Sequence, residues 1–234
     1  MERIHNFELN EKFINIYWYE ILQKFNSKAG GDIMNKRRLW SFSFTTATLV
    51  LIPAAVGINY IGKLFAGVLK LPLWIDSIGT ALASMLSGPI VGAISGAINN
   101  IIYGLTMDPI SFVYALTSVA IGIAVGIMAY NGMINTLWKS IIAGVVVAIV
   151  AAIVSTPLNV IFWGGQTGNV WGDALYAYLI AHTVPIWIAS FFDEIVVDFP
   201  DKIATMIVAF LIFKGLPKKL IQIYQGGEKI EKLD

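Results

Sequence analysis

The side chains best suited to chemistry here are aromatic rings and amides gathered in a few short segments. Trp74 and Asp76, Tyr103 and Asp108, and the run 163–173 with Trp163, Gln166, Asn169, Trp171 and Asp173 alternate rings with amides and carboxylates. Such a mixture stacks a small polar aromatic ligand and orients it through hydrogen bonds. Covalent chemistry is poorly served. The chain has no cysteine, which excludes disulfides, thiol nucleophiles and iron–sulfur clusters. Its two histidines, His5 and His182, lie far apart, which argues against a histidine metal site. No phosphate loop, nucleophile motif or metal-ligand spacing occurs. The chain therefore reads as a binder that is not an enzyme and needs no cofactor or metal.

Several positions carry two readings. Asp76 sits just inside an apolar segment, where a carboxylate is costly unless paired or near water. It either contacts a ligand or caps a helix start. Asn99 and Asn100 are adjacent, so on a helix they point about 100° apart. Asn100 suits an interhelical hydrogen bond, and Asn99 is the better pocket candidate. Asn159 follows Pro157, where a kink frees backbone groups. His182, alone in an apolar run, is a ligand contact, a proton relay or a packing residue. Each tryptophan also fits an interfacial aromatic belt, whereas the glycine-rich 163–173 loop as a whole reads as a mobile binding lid. The cluster Asp193, Glu194, Asp198, Asp201 and Lys202 reads as a solvated helix start.

The elements that must position these residues are membrane-length. Of 234 residues, 57% are hydrophobic and 13% charged, against about 25% charged in a soluble domain; the mean hydropathy is +0.72. A net charge of +1 implies no nucleic-acid partner. Apolar runs fall at about 40–61, 73–87, 89–105, 111–130, 140–163 and 203–213, with a further apolar stretch at 174–192 interrupted by His182 and Pro185. Gly88, Gly92, Gly96, Asn100 and Gly104 recur at every fourth position, a bare helix stripe of the kind that lets membrane helices approach closely. Six spans put Lys36, Arg37 and Arg38 on the same, cytoplasmic side as Lys214, Lys218 and Lys219. Residues 174–198 are then re-entrant, interfacial or continuous with the last span. The expected fold is an all-α integral membrane protein, a bundle of about six transmembrane helices, multi-pass in the cell membrane. Residues 36–220 form that domain. Residues 1–35 are an amphipathic interfacial extension, or the chain starts natively at Met34, and 221–234 are a cytoplasmic tail.

The segment 74–80, Trp-Ile-Asp-Ser-Ile-Gly-Thr, leads through a tight turn into 88–96, Gly-Pro-Ile-Val-Gly-Ala-Ile-Ser-Gly. With Asp198-Phe199-Pro200-Asp201-Lys202 before a last span and a lysine-rich tail, it resembles the substrate-binding S components of energy-coupling factor (ECF) transporters. The resemblance implies a six-helix subunit that binds a vitamin or related heterocyclic micronutrient near the outer face. It also implies partners: a transmembrane coupling protein and two ATPases that drive uptake. Such subunits dock through an alanine-x-x-x-alanine face in the first span. Ser43 and Ala47 offer a small-x-x-x-small variant of it. The alternative is a multi-span membrane ligand sensor of a signalling system. A self-sufficient channel or carrier is disfavoured by the lack of an inverted repeat or a ring of charges.

Overall fold

The computed structural model describes Trp40 and residues 45–225. Residues 1–35, Ser43 and the tail beyond residue 225 lie outside the described residues. The chain divides into two units, residues 1–38 and 39–234, and every described residue belongs to the second. Among the described residues there are eight α-helices and no strand: α1 (Thr46–Leu69), α2 (Ile78–Ser87), α3 (Pro89–Thr106), α4 (Ala115–Tyr130), α5 (Leu137–Trp163), α6 (Val170–Ala181), α7 (Ile186–Gly215) and α8 (Lys218–Gln225). A 3-10 turn, Pro109–Phe112, leads into α4. Helices α1 and α5 are each long and apolar enough to cross a membrane.

The short helix α2 is the hub. Every residue from Gly79 to Ser87 is buried, and α2 touches α1, α3, α4 and α7. Ala81, Leu82 and Met85 pack with Ile121 and Val125 of α4, Val147 of α5 and Met206 of α7. On another face, Ala83 and Leu86 meet Leu51 and Ala55 of α1 and Val91 of α3. Ten residues of helix rise only about 15 Å. The chain reaches the hub through residues 70–77, which are non-helical, so the helix expected from Leu73 begins at Ile78. Buried backbone donors need partners, and two side chains from other helices supply them. Asp201 of α7 accepts from the N–H groups of Trp74 (3.1 Å) and Ile75 (2.8 Å). Asn59 of α1 accepts from Gly79 (2.7 Å) and Thr80 (3.3 Å), capping α2 from outside its own chain segment. Asp76 does not cap it.

Small residues bring the helices together. Residue Gly88, at φ 90°, ends α2 and starts α3, a conformation that favours glycine. Along α3, a Cβ added at Gly92 would lie 1.7 Å from Ser84 Oγ, and one at Gly96 would lie 2.9 Å from Ser118 Cβ. Asn100 donates to Ser118 Oγ at 2.5 Å, and a Cβ added at Gly104 would lie 2.8 Å from the Phe112 ring. Helix α4 answers with Gly122 against Ala93 and Gly126 against Pro89. Helix α5 is antiparallel to α7, with Gly144 against Ile203 at one end and Asn159 bonded to Glu194 nearer the other. Helix α7 is one continuous 30-residue element. It contains the 203–213 run and everything from Ile186, while 170–181 forms α6 separately.

Large apolar side chains face outward while several polar ones are buried among the helices. Outward faces carry Ile61 (67% exposed), Val68 (75%), Ile153 (59%) and Ile161 (68%). Asn59, Asn99, Asn100, Asn159 and Asp193 are all fully buried.

Candidate ligand-binding site

Two adjoining cavities open at the end of the bundle where α1, α3 and α5 finish and α4 and α7 begin. The inner one has an open volume of about 570 Å3 including its mouth, between Trp74, Asp76, Tyr114, Glu194, Asp198 and Lys202. The outer one, about 750 Å3 including its mouth, lies between Lys70, Tyr103, Asn169 and Trp171. Lys63, Trp74 and Asp108 border both.

The inner cavity is charged because α7 is. Glu194, Asp198 and Lys202 stand four residues apart and so share one face of the helix; Asp193 and Asp201 occupy the neighbouring row. All five are buried, at 3% exposure or less. They are not the solvated helix start that their composition suggests, because they lie inside a continuous helix packed on α5 and on residues 70–77. The Lys202 ammonium is 3.5 Å from both Asp76 and Asp198 and pairs with Asp201. That arrangement ties the non-helical segment 70–77 to α7, with Trp74 bordering both cavities.

A hydrogen-bonded chain crosses from α4 to α7. The Tyr114 hydroxyl donates to Asn159 Oδ1, and Asn159 Nδ2 donates to Glu194 Oε1 at 2.7 Å. Asn159 itself does not border a cavity. It orients Tyr114 and Glu194, which do. Across the cavity, Lys63 donates to Ser111 Oγ at 2.9 Å and lies 4.5 Å from the centre of the Tyr103 ring.

The 164–169 loop walls both cavities and is pinned from two sides. Thr167 donates from its N–H (3.3 Å) and its hydroxyl (2.9 Å) to Asp193 of α7. The Thr167 and Gly168 N–H groups also reach Asp173 Oδ1, each at 3.1 Å. Asn169 caps α6 by accepting from the Trp171 N–H at 3.1 Å. At Gly172 an added Cβ would fall 1.9 Å from Asp193 Oδ1, so glycine is what lets α6 close on that carboxylate. Removing the hydroxyl in Thr167→Val deletes the bond to Asp193 and the acceptor of the Asn169 N–H, the former alone worth about 1.5–3 kcal/mol. Amide hydrogen exchange over residues 164–169 is expected to accelerate by roughly tenfold or more, with α5 and α7 unchanged. Unaltered exchange in the loop would show that Asp193 does not hold it.

The residues singled out from sequence are distributed unevenly. Trp74 borders both cavities, Asp76 the inner one, and Tyr103, Asn169 and Trp171 the outer one. Asn159 sits one hydrogen bond behind. Asn99 is buried in α3, borders neither cavity, and neither end of its amide has a hydrogen-bond partner among the described residues. Trp163 packs on Phe162 with ring centres 6.1 Å apart, and Gln166 is exposed. His182 is exposed at the end of α6, its ring 4.2 Å from that of Tyr178. Ala47 is half-buried in the first turn of α1. Lys63 and Tyr114 carry no sequence signal for the site, and Glu194, Asp198 and Lys202 carry only their i, i+4, i+8 spacing. Among the described residues no group of three or more histidine, cysteine or carboxylate side chains is placed to hold a metal ion.

Comparison of the chain with models of protein families, with curated proteins and with solved structures finds no match in any of the three.

Proposed function

We propose that the chain is a multi-pass membrane protein that captures a small water-soluble ligand at the outer face, as the substrate-binding subunit of an ECF-type transporter. The observation that carries this reading is the pair of cavities lined by charge and aromatic rings inside a bundle whose outward faces are apolar. Lipid satisfies the exposed isoleucines, valines and leucines of α1, α5 and α7. Buried polar side chains facing a cavity are what a solute pathway in a membrane protein requires. Residues 70–77 support the same view, because non-helical backbone at membrane depth is tolerated where it is buried in protein or borders a cavity.

Orientation follows from charge. Lys139, Lys214, Lys218 and Lys219 cluster at the end of the bundle away from the cavities. A cytoplasmic location for that end satisfies the positive-inside tendency and leaves the cavities opening outward. A ligand of vitamin size, seated on Trp74 and under the 164–169 loop, adds contacts that the empty protein lacks. If the loop-closed form docks better on a coupling protein, ligand binding biases that docking through the difference in affinity between the two states. The coupling protein and its two ATPases supply the energy, which agrees with the absence of a phosphate loop in this sequence.

The test has two parts. Calorimetry on the protein in lipid nanodiscs, against vitamins, pyrimidines and nucleosides, is expected to find one saturable ligand without partners. Trp171→Ala should weaken it by roughly tenfold or more through lost stacking, and Trp163→Ala should weaken it less. Cells expressing the chain should then accumulate that labelled ligand only alongside the coupling protein and ATPases. Binding without any partner-dependent accumulation would overturn the transport reading.

A further inference from the structure

We infer that the ligand carries a positively charged nitrogen, seated against Glu194 in the inner cavity between the rings of Tyr114 and Trp74. The inference rests on the capture reading above and specifies its substrate class as a cationic aromatic or heterocyclic amine.

Carboxyl groups outnumber ammonium groups around this cavity. Asp76, Asp108, Glu194 and Asp198 border it, against Lys63 and Lys202. Lys202 is already committed to Asp76, Asp198 and Asp201. Lys63 has Asp76 and Asp108 as its carboxyl neighbours and donates to Ser111. Glu194 is different. It is only 3% exposed, and no ammonium or guanidinium among the described residues lies within 4.0 Å of it. Its Oε1 accepts from Asn159, and Oε2 has no hydrogen-bond donor among the described residues. A carboxyl group held on one oxygen by Asn159 and lacking a basic partner is one whose charged form a cationic nitrogen in the cavity would stabilise. The flanking rings strengthen the case, because indole and phenol faces attract cationic nitrogen within about 6 Å. Asn159 contributes by holding the Tyr114 hydroxyl and Glu194 Oε1 through the two ends of its amide, and both residues border the cavity.

The decisive experiment offers the protein in nanodiscs an equimolar mixture of three kinds of similar-sized heterocycle. N-alkylpyridinium and aminomethylpyrimidine are the cations, uracil and uridine the neutrals, and nicotinate and orotate the anions. Bound compounds are separated by gel filtration and identified by mass spectrometry. Retention of cations in preference to the rest is expected, and Glu194→Gln, which keeps the shape and the bond to Asn159, should reduce it by roughly tenfold or more. Preferential retention of neutrals or anions overturns this inference and leaves the capture reading standing. A folded Glu194→Gln protein that holds cations as wild type does so also overturns it. Retention of nothing by folded wild type removes both readings. Where Glu194→Gln gives no folded protein, the selectivity of the wild type decides alone.

Discussion

Lys202→Met is expected to remove folded protein from solution or to lower its stability by about 3–5 kcal/mol. The Lys202 ammonium is shared by Asp76, Asp198 and Asp201; Lys202, Asp198 and Asp201 are buried, and Asp76 is half-buried at the edge of the cavity. Methionine preserves the length and bulk of the side chain, so packing is nearly unchanged and the electrostatic loss stands alone. Asp198 and Asp201 would then be left in a medium of low dielectric without the ammonium they share, while Asp76 keeps Lys63 as a neighbour. The damage extends beyond the charges. Asp201 also holds the Trp74 and Ile75 N–H groups, so when that carboxylate protonates or turns, the approach of residues 70–77 to α2 loosens and Trp74 leaves the cavity junction. Two further variants separate this account from a general intolerance of change. Asp198→Asn leaves Lys202 with two carboxylates and should be much milder. Lys202→Met combined with Asp198→Asn and Asp201→Asn should recover part of the loss, because each amide removes one orphaned charge. Thermal unfolding of the nanodisc protein, followed by tryptophan fluorescence, measures all three. A Lys202→Met protein that unfolds at the wild-type temperature would show that the network contributes nothing to stability.

Helix positions followed the hydrophobic runs closely wherever a run was both apolar and uninterrupted. The 89–105 and 140–163 runs correspond to α3 and α5 within a few residues, because periodicity and breakers such as Gly88 and Gly164 act locally. Departures arise where a partner distant in sequence decides. Residues 73–77 are apolar enough for helix, yet Asp201, far along the chain, takes their N–H groups. The 40–61 run became a helix extending to Leu69, since Lys63 reaches inward to Ser111 and the Tyr103 ring and so does not end the helix as an exposed lysine would suggest. The site divides the same way. The aromatic and amide residues were visible by type, and Trp74, Tyr103, Asn169 and Trp171 do border the cavities. The charged row of α7 was visible only by spacing. Composition favours a solvated reading for five charged residues in ten, and a single sequence contains no sign that residues 70–77 fold back to cover them.

Gly122→Ala is the second change with a large expected effect, a loss of about 3 kcal/mol or more. By intrinsic preference alanine is the better helix former, by up to about 1 kcal/mol, so propensity alone predicts the opposite sign. Packing decides it. The new Cβ would lie 2.4 Å from the Ala93 nitrogen and 2.6 Å from the Gly92 carbonyl carbon. Both are backbone atoms of α3, so no side chain can rotate to make room. The two helices must separate, and Gly126 against Pro89 in the same seam loses its fit with them. Separation also stretches the Asn100 to Ser118 bond and the Ser84 hydroxyl bond to the Gly122 carbonyl, which tie α2, α3 and α4 into one block. Ser118 borders the inner cavity, so ligand affinity should fall together with stability. Gly57→Ala provides the matched comparison. An added Cβ there meets nothing within 4 Å, and the propensity gain should appear undiminished as a neutral or slightly stabilising change. Thermal unfolding of both variants side by side tests the point. Equal effects would mean that the α3–α4 seam yields easily, and opposite signs that close backbone contact, more than helix propensity, holds this bundle together.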